Sequence, residues 1–242
     1  MSPEVFARQM AFLSRRRQVV GLEELVEGPR SGARPMVAIT FDDGYRNVLV
    51  NAGPVLRTYG FPATLFVPTK WIGKDNAWEA GGPCHPLPVM DEDELRAAGR
   101  RGITVESHGH GHLDLERSDP WVAASDLRAS YDCLAGILGR APRFLAYPYG
   151  RQSPVVRAAA EATGFAHAFG FNTPEAGRYG HERVSIDGRE GPARFALKTR
   201  GGYLARRHSP VGGALSWVAV SARGLTARLP EGARRASVKG TT

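Results

Sequence analysis

Along the chain, short apolar runs rich in β-branched residues alternate with longer stretches in which apolar positions recur every three or four residues. The runs at 35–41, 62–67, 103–107, 143–147, 165–169 and 182–186 have the length and composition of buried strands. The stretches 4–14, 47–59, 91–100, 119–137 and 153–163 between and before them carry the helical period. A parallel neighbour needs a crossover connection and a helix supplies it, so this alternation predicts an α/β fold of parallel βαβ units. With 242 residues, 42% of them hydrophobic, the chain can bury one sizeable core, and a second domain is not expected.

The strand at 35–41 runs into Thr40-Phe41-Asp42-Asp43-Gly44-Tyr45, which puts two adjacent carboxylates at its carboxyl end. In parallel α/β folds that edge of the sheet carries the active site. Neighbouring residues on an extended backbone point in opposite directions, so Asp42 and Asp43 should do different jobs, one binding metal and the other working on a water beside it. Gly44 suits a tight turn with positive φ. The strand at 103–107 repeats the arrangement, opening at its end into Ser107-His108-Gly109-His110-Gly111-His112. If 108–112 is a helical turn, His108 and His112 share one face and reach a single ion, while His110 faces elsewhere. A lone histidine in a Gly-rich segment would read as a surface loop. Two of them after a strand end, with an Asp pair on another strand end, are the parts of a metal-dependent hydrolase. Phe144-Leu145-Ala146-Tyr147 with the turn Pro148-Tyr149-Gly150 reads, taken alone, as a buried strand and an ordinary turn.

These three runs, in this order, resemble the motifs of the NodB-like polysaccharide deacetylases, carbohydrate esterase family 4. The segments 52–56 and 59–67 resemble that family's first helix and second strand, and the resemblance extends over about residues 3–205. It implies a distorted, incomplete (β/α) barrel of the NodB-homology type for residues 1–205, followed by a basic C-terminal extension at 206–242. It also implies that Asp43, His108 and His112 bind the metal, zinc first, with cobalt, manganese or nickel suited to the same ligands. By the same analogy Asp42 is the general base, and the backbone N–H of Tyr149 helps to hold the oxyanion. Tyr147, Pro148 and Trp71 are placed in the substrate contact set. Trp71 and Trp78, in the Gly- and Pro-rich insertion 71–88, either stack on sugar rings or pack back on the barrel.

The implied activity is removal of N-acetyl groups from an N-acetylated sugar polymer, oligosaccharide or glycolipid, with release of acetate. The alternatives are hydrolysis of another non-peptide C–N bond, or a catalytically impaired relative that binds glycan. The best-studied relatives use as general acid a histidine in a late Leu- and His-containing motif, and that motif is not found here. His167, His181 and His208 each read as surface or loop residues. Arg183 and Asp187, around a late strand, are further site candidates, whereas Arg143 is not assigned the pairing with the base that an arginine near the third motif makes in many relatives.

The formal charge of +8 is concentrated partly in the last forty residues, including Arg206, Arg207, Arg223, Arg228, Arg234, Arg235 and Lys239. A solvated basic tail accounts for it, and no nucleic-acid motif accompanies it. Cys84 and Cys133 lie in unlike settings and suggest neither a disulfide framework nor a metal ribbon. Neither terminus carries an apolar run of membrane-spanning length or a signal peptide's apolar stretch. The location expected from the sequence as written is cytoplasmic, with cell-surface action requiring a start further upstream.

Overall fold

The computed structural model of the protein describes residues 1–28, 34–79, 86–171, 177–201, 203–204 and 219–222. Cys84, His208 and the basic residues of the tail named above lie outside the described residues. The strands are β1 (Gln18–Val19), β2 (Met36–Phe41), β3 (Ala63–Val67), β4 (Ile103–Ser107), β5 (Phe144–Ala146), β6 (His167–Gly170), β7 (His181–Glu182), β8 (Val184–Ile186) and β9 (Ala219–Ala222). They form one parallel sheet in the order β7-β6-β5-β4-β3-β2-β9-β8, with β1 also paired to β2.

That order dictates the shape. Strands β7 and β8 occupy opposite ends of the sheet, yet only Arg183 separates them in sequence. Two residues span at most about 7 Å of extended chain, so the sheet has to curl until its ends meet at Arg183. The two end strands are joined through the chain rather than by a described ladder, so the architecture is the incomplete, distorted (β/α) barrel expected from the motifs.

Side-chain alternation separates the two faces of the curled sheet. Val37, Ile39 and Phe41 of β2, with Leu65 and Val67 of β3, belong to the large core that receives Phe6, Met10 and Leu13 of helix α1 (Pro3–Arg16). The intervening Ala38 and Phe66 pack instead with Phe144, Ala146 and Phe169. Leu22 and Leu25 of the short helix α2 (Leu22–Glu27) join this second cluster.

The helices start where side chains can take up their free N–H groups. Ser2 caps α1, Asp91 and Glu94 form a reciprocal capping box on α4 (Glu92–Arg100), Asp119 caps α5 (Pro120–Leu138), and Ser153 caps α6 (Pro154–Thr163). Pro stands in the first turn of α1, α5 and α6, where its missing N–H costs nothing. The stretch expected as one helix over 47–59 opens with a wide turn at Val48–Ala52 before α3 (Gly53–Tyr59). Pro54 has no N–H for the carbonyl four residues back, and Gly53 N–H reaches Val48 C=O instead. Helices α2 and α7 (Pro192–Lys198) and strand β1 are additions to the expected list.

The boundary expected at residue 205 needs correction. Ala219–Ala222, within the presumed extension, form β9 and fill the place between β2 and β8, with Val220 in register with both Ile39 and Val184. Without it two strand edges would face each other with unpaired backbone groups. No helix among the described residues is long and apolar enough to cross a membrane.

Candidate active site

Asp42 and Asp43 follow the last residue of β2, as expected, and then diverge. Asp43 (φ 71°) and Gly44 (φ 67°) are both left-handed, which reverses the chain at once. Glycine is required at 44 on a second count, because a Cβ there would lie 2.9 Å from Val67 Cγ1. Asp42 turns into the barrel and is buried. Its Oδ1 and Oδ2 accept from the two terminal nitrogens of Arg183 at 2.7 and 3.0 Å. The guanidinium, fully buried, lies over the rings of Phe66 and Phe171, 5.3 and 4.8 Å from their centroids. Burial pushes the Asp42 carboxyl pKa up, but the Arg183 charge and hydrogen bonds outweigh it and hold the pKa below its ordinary value.

Asp43 turns the other way, towards the second motif. Its Oδ1 lies 3.4 Å from His108 Nε2 and 3.2 Å from His112 Nε2. A carbonyl oxygen can only accept, so His108 Nδ1 donates to Ala146 C=O at 2.7 Å and the Nε2 lone pair is left facing Asp43. The three ligand atoms lie within 4.8 Å of one another. Ligands of a tetrahedral ion at about 2.0–2.1 Å sit about 3.3 Å apart, so the separations from Asp43 match a zinc-type site. The protonation states match as well. Burial lowers the His112 pKa despite Asp43 beside it, which keeps the ring neutral. Burial would raise the Asp43 pKa, but the two imidazoles that face it more than offset this and hold the carboxylate ionised.

The loop that carries the histidines is not the helical turn expected from their spacing. Gly109 (φ 74°) and His112 (φ 59°) are left-handed, and the N–H groups of His110 and Gly111 go to the Asp126 carboxylate rather than to preceding carbonyls. The two rings meet edge to face, 5.1 Å apart, because the loop doubles back. His110 faces elsewhere, as expected, sharing a 2.8 Å hydrogen bond with Thr69 Oγ1.

Tyr149 in the third motif is left-handed (φ 59°) and exposed, and its ring stands edge-on to His112 at 4.8 Å. Among the described residues Asp43, His112 and Tyr149 are the non-glycine residues with positive φ, so backbone strain gathers at the site. Tyr147 and Pro148 must be withdrawn as substrate contacts. Tyr147 is wholly buried with its hydroxyl donating to Tyr179 C=O, and Pro148 is buried beneath the Gly109 turn. Trp71 is half-buried and donates from Nε1 to Gly111 C=O at 3.2 Å, so it supports the histidine loop. Trp78 stacks on His112 at 4.8 Å and lies 6.2 Å from the Tyr45 ring, which gives the site an aromatic wall that sequence reasoning had left undecided.

Among the remaining candidates, Arg183 reaches the site and Asp187 does not, accepting instead from Arg189 N–H in its own turn. Arg143 pairs with Glu23 and Glu27 on α2. His167, the first residue of β6, shares a 2.8 Å hydrogen bond with His181 and one of 3.0 Å with Glu27. Asp126 was missed altogether. The available signal was an aspartate within the apolar stripe of α5, beside Ala123, Leu127, Ser130 and Leu134.

Comparison with known proteins bears on the family and the fold. The family model for polysaccharide deacetylases matches residues 30–168. The chain is 32% identical to YxkH of Bacillus subtilis (strain 168) over 129 residues, 53% of this chain and 42% of that protein. It is 28% identical over 202 residues to the poly-β-1,6-N-acetyl-D-glucosamine N-deacetylase of Staphylococcus aureus (strain MRSA252), covering 77% of this chain and 67% of the relative. In fold it is similar to IcaB from Ammonifex degensii, with a TM-score of 0.63, 22% identity and coverage of 84% and 89%. It is also similar to the Streptococcus pyogenes deacetylase PplD, with a TM-score of 0.64, 22% identity and coverage of 76% and 80%. With the family model spanning more than half of the residues, the chain belongs to the polysaccharide deacetylase family.

Proposed function

We propose that the protein is a metal-dependent hydrolase that removes N-acetyl groups from an N-acetylated glycan and releases acetate. The observation that carries this reading is the pairing of a buried, arginine-held Asp42 with the Asp43, His108 and His112 cluster on the next residue's side of the chain. Asp43, His108 and His112 hold the ion. Zinc suits the two imidazoles and one carboxylate, and cobalt, manganese or nickel share the donor preference. When bound, the ion supplies a Lewis acid for the acetamide carbonyl and lowers the pKa of a water.

The protein's own groups do the rest. Asp42, kept ionised and fixed in orientation by Arg183, takes the proton of the attacking water. The tetrahedral oxyanion that results is met by the backbone N–H of Tyr149. Protonated Asp42 then returns the proton to the leaving nitrogen as the C–N bond breaks, leaving acetate and a free amine. Trp78 and Tyr149, on either side of His112, limit water around the reacting carbonyl and offer ring faces to a sugar. The staphylococcal relative's name makes a β-1,6-linked N-acetylglucosamine polymer the first substrate to try.

The test is metal content of the purified protein together with acetate release from N-acetylglucosamine oligomers, before and after chelation and zinc return. Acetate release should disappear with chelation and return with zinc, and Asp42→Asn should keep the metal and lose turnover. Full activity in Asp42→Asn would refute the assignment of the base. Bound metal without acetate from any glycan tested would replace the deacetylase reading with another C–N substrate or a glycan-binding role.

A further inference from the structure

Between the two histidines, every backbone polar group of residues 109–111 is taken. Gly109 N–H donates to Ser107 Oγ at 3.2 Å, and its carbonyl accepts from Thr69 N–H at 3.1 Å. The His110 carbonyl accepts from Lys70 N–H at 3.0 Å, and the Gly111 carbonyl from Trp71 Nε1 at 3.2 Å. The two remaining groups, the N–H of His110 and of Gly111, converge on one side chain. They donate to Asp126 Oδ2 and Oδ1, each at 2.7 Å. Asp126 is buried on the inner face of α5, nearly two turns past the helix start, and it is the charged member of this set of partners. Hydrogen bonds to a carboxylate are roughly twice as strong as neutral ones, so this pair dominates the loop.

The glycines of the motif are explained by the same contact. A Cβ at Gly109 would lie 2.8 Å from Asp126 Oδ2, and one at Gly111 would lie 3.2 Å from Oδ1. A side chain at 109 would push the carboxylate off the backbone it holds, and one at 111 would press on it by a few tenths of an ångström. The alternation of Gly and His from 108 to 112 is therefore the imprint of a carboxylate approaching from a helix, not of a loose surface loop.

We propose that Asp126 is a positioning residue of the metal site, whose carboxylate fixes the loop geometry that brings His108 and His112 to one ion. This rests on reading Asp43, His108 and His112 as the ligands. Asp126 touches neither the ion nor the substrate; it acts through the N–H groups of His110 and Gly111. Without it two N–H groups lose their acceptor, the loop relaxes from its left-handed turns, and the imidazoles have to be ordered again each time metal binds. Groups that hold metal ligands in place are typically worth about 10- to 100-fold in metal affinity.

The test compares zinc dissociation constants, by competition with a chromogenic chelator, for the unaltered protein, Asp126→Asn, Gly111→Ala and Asp43→Ala, with the melting temperature of each metal-free form. Asp126→Asn keeps the side chain's shape but turns an NH2 against one of the two N–H groups. It should bind zinc about 10- to 100-fold more weakly. Gly111→Ala, at a position outside the left-handed region, should show a smaller loss in the same direction. A merely structural aspartate would lower the metal-free melting temperature and leave the zinc affinity of the folded protein unchanged. That result in Asp126→Asn would overturn the proposal, and if that variant does not fold, unchanged affinity in Gly111→Ala would do so. Asp43→Ala separates the two readings. Zinc affinity undiminished in that variant would overturn the ligand set itself, whatever the Asp126 variants show.

Discussion

Replacing Arg183 by Met removes the guanidinium that Asp42 faces and leaves a buried carboxylate with its two charge-assisted bonds, of 2.7 and 3.0 Å, gone. Both partners are buried, so solvent does not compensate, and breaking such a pair costs about 3–5 kcal/mol while the remaining charge persists. Asp42 has one escape, which is to take up a proton. In the native protein its pKa is depressed, so it contributes stability above its unfolded value that is lost as pH falls through the folded value. In Arg183→Met the main offset to burial is gone and the pKa rises above the unfolded value of about 3.9. The deficit then grows with pH, at about 1.4 kcal/mol per unit, until the shifted pKa is passed. Chemical denaturation of metal-free protein at pH 5 and pH 8 should therefore show the larger loss at pH 8. The double variant Arg183→Met with Asp42→Asn should recover a large part of it. Acetate release should fall with the single variant, because a protonated Asp42 is no base. A loss below about 1 kcal/mol at pH 8, or a double variant no milder than the single one, would refute the argument that the pair holds the base in the barrel.

Gly44→Ala forces a left-handed backbone on a residue whose Cβ would lie 2.9 Å from Val67 Cγ1, and should cost about 1–3 kcal/mol in urea unfolding. His181 is pushed down to about 4 by burial, with the neighbouring His167 adding to it. A lowered histidine pKa stabilises the fold fully above the unfolded value of about 6.5, and that contribution is lost as pH falls towards about 4. It amounts to about 3 kcal/mol at the most, and a His181→Phe variant should lack this part of the acid slope in melting temperature. Zinc at about 100 times its dissociation constant should stabilise the protein by about 2.7 kcal/mol, seen as a rise in melting temperature that Asp43→Ala lacks. Trp78→Ala should retain zinc but lower kcat/KM on glycan oligomers, since it strips one wall from His112, and unchanged kinetics would remove the wall from the site.

The strand ends were legible because they are local. Six apolar runs of strand length, each followed by turn chemistry, put Asp42, Asp43 and His108 at carboxyl edges, and the described strands β2 to β6 fall within a few residues of those runs. The spacing of His108 and His112 was legible too, but the helical turn inferred from it was wrong. What sets that loop is a carboxylate at Asp126, 16 residues from His110 in sequence, and nothing in a spacing of four announces an acceptor arriving from another element. Tyr147 and Pro148 show the opposite failure. A motif tells that residues sit near the site, but whether a side chain faces the cleft or the core depends on which neighbours cover it.

The sequence by itself determined the class of fold, the family, and the set of side chains that can bind metal, because periodicity, turn residues and motif order are properties of short stretches. The tertiary structure alone decided that Arg183, 141 residues from Asp42, is the partner of that carboxylate. It also brought β9 from the presumed tail into the sheet. Both follow from closure. Curling the sheet until β7 and β8 meet at Arg183 drives that side chain into the barrel, where burial of its charge demands a buried carboxylate in return.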